Sequence, residues 1–265
     1  MLLVRPRVFL VPAALMLALF AGCGSYSVPG GAGDLSSLRV AAAPEPATTQ
    51  AKDQQTEWPV REALDRKPLA SFPVSLAVIR VQSPNYKTRT TEVYGSGKYR
   101  VVTTRDIEKD EHLQRIRSLP MVRAVTPANR LLVPQSINSD RELREMAASM
   151  QSEMLAVYTL DTTFNVKDGA APLSVVTLGL FPSKVANVRC TASALLLDTR
   201  SGYLYGAAEA TDVDDQLANS WTSEDAVDET RRRVESRAFE RLVGEFEKMW
   251  TGVVLNHAPR ASASR

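Results

Sequence analysis

Histidine and cysteine are scarce, two of each in 265 residues. A zinc or redox centre needs several such ligands close together, and none of the four has another beside it in sequence. His112 stands near Glu108, Asp110 and Glu111, but consecutive acids at a helix start read as a solvated cluster favoured by the helix dipole, not as metal ligands. His257 falls in a polar tail. An excess of charge of either sign is also missing, with 32 Lys and Arg against 30 Asp and Glu. That excludes a basic field for nucleic acid, and no aromatic-and-basic strand pattern supports single-strand binding. There is no G-x-S-x-G elbow, and "YGSGK" lacks the upstream glycine and the trailing Ser or Thr of a phosphate loop. No pair of carboxylates is legible from spacing. The composition therefore argues for a non-catalytic protein with no cofactor, no metal and no evident small-molecule substrate.

What is present begins at the N-terminus. Arg5 and Arg7 precede an apolar run of 13 residues, Val8 to Phe20, too short to span a bilayer comfortably. Ala21 and Gly22 follow, and then Cys23. A charged n-region, a short apolar h-region and small residues make a secretory signal peptide. Cysteine directly after the cleavage point resembles a bacterial lipobox, in which the thiol is diacylated and becomes the first residue of the mature chain. Gly24 stands where Asp would retain such a lipoprotein at the inner membrane, which implies the outer membrane, facing the periplasm. With Cys23 lipidated, Cys190 has no partner for a disulfide within the chain. Its run "VANVRCTASALLLD" reads as a strand with a small buried thiol.

Residues 23–70 are rich in Ala, Pro, Gly, Ser, Thr and Gln, which cannot bury enough apolar area to offset their ordering entropy. They read as a flexible tether with a span on the order of 35–40 Å, with a short helix near Trp58. Residues 71–252 read as one α/β domain and 253–265 as a disordered tail. "VSLAVIRV" suits a strand buried on both faces, and "YRVVTTRDIE" a second one. "EKDEHLQRIRSLP" predicts a helix ended by Pro120, and "MVRAVTPANRLLVP" an extended stretch broken by Pro127. Ser139 and Glu142 match a capping box, followed by Leu143, Met146, Ala147 and Met150 at helical spacing. "LAVYTLDTTF" is a strand. "VANVRCTASALLLD" and "YLYGAAEATDV" form a hairpin turned through Asp198 and Gly202.

The domain ends in a long amphipathic helix, with Val227, Val234, Ala238, Leu242, Phe246 and Met249 in one stripe joined by Phe239 and Val243. Asp228–Arg232 and Glu229–Arg233 read as pairs on its solvated side. The expected fold is a single mixed β-sheet with flanking helices and this helix at the C-terminus. The segment "PLSVVTLGLFPS" is ambiguous: a connection packed on the core, or an exposed apolar patch in which Val176, Leu178, Leu180 and Phe181 meet a partner.

Several stretches together, "YRVVTTRDIE", "NRLLVPQSINSDRELREMAASMQSEMLAVYTLDTTF", "PLSVVTLGLFPSK", "LLLDTRSGYLYGAAEAT" and "QLANSWTSEDAVDETRRR", resemble the rhombotarget lipoprotein family over about residues 74–250. More distantly the plan resembles the domain of the curli-secretion and penicillin-binding-protein-activator lipoproteins. There an L-x-D-x-x-x-G hairpin recurs, its positions matched here by Leu196, Asp198 and Gly202. The family name implies a genomic link to rhomboid-type sorting proteases. The C-terminal apolar span expected of substrates of such a system is missing, since after Trp250 only "TGVVLNHAPRASASR" remains. The expectation is an outer-membrane lipoprotein that binds a protein partner, or its own copies, as an accessory or assembly factor of envelope or secretion machinery. The alternatives are a curli-type pore-forming subunit and, with less support, a hydrolase.

Overall fold

The computed structural model describes residues 30–39, 58–88, 90–168, 184–218 and 224–259. Cys23 and the segment 172–183 lie outside the described residues. Strand β1 (Val74–Gln82) is buried along its whole length. It carries apolar residues on both faces because both faces are covered. Val74, Leu76 and Val78 enter one core, and Ala77, Ile79 and Val81 enter another. On one edge β1 pairs in parallel with β7 (Met154–Asp168). The other edge is shared between β5 (Val122–Pro127), parallel beside Val74–Val78, and β4 (Arg100–Val102), antiparallel beside Arg80–Gln82. β2 (Val93–Tyr94) adds to β4, and β8 (Lys184–Asp198) and β9 (Leu204–Ala218) continue from β7 as an antiparallel meander. The order is β2-β4-β1-β7-β8-β9 with β5 against β1. A separate pair joins β3 (Ser96–Gly97) to β6 (Ser136–Ile137).

The mixed sheet with flanking helices is as the pattern of elements predicts, and the helices lie on both of its faces. Besides a short helix α1 (Trp58–Asp65), α2 (Asp110–Arg117) and the long α4 (Glu224–His257) cover one face, and α3 (Asp140–Ser149) covers the other. α3 starts at the expected capping box. The Glu142 carboxylate accepts from the Ser139 N–H at 3.1 Å, and the Ser139 hydroxyl accepts from the Arg141 N–H at 3.3 Å. On α4 the buried stripe runs Val234, Ala238, Leu242, Phe246, Trp250, with Phe239, Val243 and Val253 beside it.

Two expected boundaries change. α4 continues to His257, and Val253 is buried, so residues 253–257 belong to the domain and not to a tail. The His257 ring meets Tyr203 and Tyr205 edge-on, at centroid distances of 5.8 and 5.1 Å. Nor is the stretch 23–70 a free tether throughout. Gly30 to Arg39 forms a strap on the α3 face, with Leu38 fully buried, and Leu69 and Ala70 are bonded into the hairpin turn. Composition could not show this, because the strap is held mainly through its backbone.

Candidate functional site

The turn between β8 and β9 is built around Asp198, whose side chain is fully buried. One carboxylate oxygen accepts from the N–H groups of Arg200 and Ser201 at 2.9 and 3.0 Å. The other accepts from the N–H groups of Leu69 and Ala70, at 2.7 and 2.8 Å, and from the Tyr205 hydroxyl at 2.9 Å. Burial works against this charge, but the donors outweigh it and hold the carboxyl below its usual range. Gly202 takes φ +69°, a left-handed conformation that glycine adopts without steric cost. Asp198 is thus a fastener joining the hairpin to the segment before β1. Its chemistry is structural.

A second polar assembly lies between the sheet and α4. Arg80, on apolar β1, is almost fully buried. Its guanidinium reaches Asp106 at 3.2 Å, the Tyr86 hydroxyl at 3.0 Å, and Glu108 and Glu235 at 3.5 and 3.9 Å. Glu235 also takes Arg231 at 2.5 Å and the Thr162 hydroxyl at 2.7 Å, and Arg231 holds Asp228 at 3.1 Å. The Tyr158 hydroxyl donates to Glu108. Four carboxylates therefore surround two arginines between the sheet and α4. Burial raises the Glu235 carboxyl, with Arg231 and Arg80 opposing it. Burial also pushes the Tyr86 phenol up to about 12, against the pull of Arg80.

This assembly corrects one expectation. Asp228 is buried and binds Arg231 as well as the half-exposed Arg232, so it is not part of a purely solvated pair. Arg233 pairs with Asp214 of β9 at 3.2 Å, and Arg237 and Arg241 pair with Asp212 at 2.6 and 2.8 Å. These contacts fix α4 across the sheet. Sequence reasoning misses Arg80, because a lone cation in an apolar strand has no local signal. Asp106 and Glu108 stand 26 and 28 positions away, and Glu235 lies on the last helix.

The other candidates separate clearly. Cys190 is fully buried, and burial raises its thiol to about 12, so it is a neutral packing group. His112 is buried against Phe239, its Nδ1 accepts from the Lys109 N–H at 3.2 Å, and burial lowers its imidazole. Among the described residues no group of three or more His, Cys, Asp or Glu is placed to hold a metal. On the α3 face, a groove of about 510 Å³ lies between the strap and Thr159, Asp161, Thr191, Ser193 and Glu209. The proposed partner residues Val176, Leu178, Leu180 and Phe181 are among those not described. The strands that flank them end in the pair Asp168 and Lys184.

No protein-family model matches the chain, and no curated protein matches it. Among solved structures it has weak likenesses to two of PelC from Paraburkholderia phytofirmans. A PelC dodecamer carrying a single substitution is 11% identical, with a TM-score of 0.24 over 65% of this chain and 92% of that one. A PelC dodecamer in another crystal form is 12% identical, with a TM-score of 0.23 over 67% and 93%. Likenesses of this size bear on neither the fold nor the function read from the chain itself.

Proposed function

We propose that this is an outer-membrane lipoprotein, anchored through Cys23 with its domain in the periplasm, acting as a non-catalytic accessory or assembly factor that binds a protein partner. The observation that carries it is the sequence Ala21-Gly22-Cys23 directly after the 13-residue apolar run Val8 to Phe20. The described interior is consistent with a binding role. Arg80, Glu108, Arg231 and Glu235 pair with one another, Asp198 is bound by backbone N–H groups, and the space beside Arg80 and Glu108 is only about 20 Å³. The partner surface is assigned to Val176, Leu178, Leu180 and Phe181, apolar residues gathered between Pro172 and Pro182.

An affinity pull-down of the tagged protein from membranes tests this, with Leu180→Asp plus Phe181→Ser as the comparison. The reading expects a specific co-purifying protein that the double variant loses while keeping a cooperative melt. Loss of the melt would make the segment part of the core and remove it as a binding surface. A large detergent-resistant ring of the protein alone would favour the pore-forming alternative.

A further inference from the structure

Arg80 is the only charged residue on β1, and its side chain is 1% exposed. A guanidinium placed there needs a partner for each nitrogen, because a buried N–H left without one loses the bond that water gave it. Two nitrogens are served. Nη1 reaches Asp106 at 3.2 Å and Glu108 at 3.5 Å, and Nη2 donates to the Tyr86 hydroxyl at 3.0 Å. The Nε–H has no partner among the described residues. Glu108, its side chain 6% exposed, is half-served in the same way. Its Oε1 takes Arg80 and the Tyr158 hydroxyl, while its Oε2 is buried and has no partner among the described residues.

Both side chains line one small space, about 20 Å³ for the centre of a water-sized sphere. A single water takes about 10–15 Å³ on that scale and bonds to about two to four polar groups. The room and the two unpaired atoms therefore coincide, and their chemistry selects the occupant. The Arg80 Nε–H can only donate, and an ionised Glu108 carboxylate can only accept. A cation there would face the guanidinium, an anion would face the carboxylate, and an ammonium ion has nothing to accept with. Water does both. We propose that one water molecule is bound in this space, accepting from the Arg80 Nε–H and donating to Glu108 Oε2.

Such a water engages the third nitrogen of Arg80 and the second oxygen of Glu108, so β1 is joined twice to the segment that leads into α2. A water-bridged bond is nearly as favourable as a direct one. An adjoining space, which shares Val78, makes the contrast. It is larger, about 30 Å³, but lies among Ile116, Ala156, Phe239, Leu242 and Phe246. Walls of that kind offer a water no bond, and such a cavity stays dry.

The test is a crystal structure of the full chain, grown in rubidium bromide, at a resolution that shows ordered water. Data are also collected at the rubidium and bromine absorption edges. The expected result is one peak within about 2.7–3.2 Å of both Arg80 Nε and Glu108 Oε2, without anomalous signal, and no peak in the apolar space. A direct bond between those two atoms, a peak touching only one of them, or no peak would overturn the proposal. Anomalous signal would make the occupant an ion, and water in both spaces would show that room alone admits it; either result also overturns it. In solution, the Arg80 Nε–H of the same protein, assigned through its own side-chain carbons, should give a rotating-frame cross-relaxation peak to water, opposite in sign to exchange. Its absence contradicts the bound water even where no crystal grows.

Discussion

Arg80 holds together parts of the chain that are remote in sequence. Removing it leaves Asp106 and Glu108 in the interior without their shared counter-charge, and breaking a buried pair from one side costs about 3–5 kcal/mol. Arg80→Met should therefore lower stability by that amount in urea unfolding, and a loss under about 1 kcal/mol would mean the cluster is solvated. Asp198 acts through its charge as well. A carboxyl held below its usual range contributes stability that is present above pH about 4 and lost as pH falls through the folded value. Asp198→Asn should cost about 2–3 kcal/mol at neutral pH and flatten the acid limb of the stability curve, read from melts between pH 3 and 7. Turn chemistry, an Asp and a Gly between two strand-like runs, made Asp198 and Gly202 legible as turn residues. The attachment of the turn to Leu69 and Ala70 was not, because backbone donors carry no residue signature.

At the scale of the element, local rules read well where one segment decides its own shape. The Ser139–Glu142 box, the stop near Pro120 and the i, i+4 stripe of α4 are such cases. They failed where a distant surface completes the element. Trp250 continues the stripe from Phe246 by one more step and is fully buried, its indole N–H donating to the Pro120 carbonyl at 2.8 Å. The apparent polarity of the residues after it concealed the last turn. Truncation after Ala258 should leave the melt unchanged, while truncation after Gly252 should cost about 2–3 kcal/mol through loss of Val253. Leu242→Asp should abolish the cooperative melt by placing an unpaired charge in the core. The strap is separable from both. Leu38→Asp should release it, so that trypsin cuts at Arg39 at a raised rate while the remaining domain keeps its cooperative transition.

For the whole molecule, the mixed sheet between helical layers was legible because strand and helix periods alternate cleanly along residues 74–250. The course of the N-terminal stretch was not legible, since glycine and alanine look the same in a free linker and in a strap. The proposed anchoring depends on the modification of one residue, Cys23. Metabolic labelling with a radioactive fatty acid, comparing wild type with Cys23→Ser, tests it most directly. Label in the wild type, with an unlabelled variant that accumulates as unprocessed precursor, is the predicted result; equal label in both would contradict the anchoring.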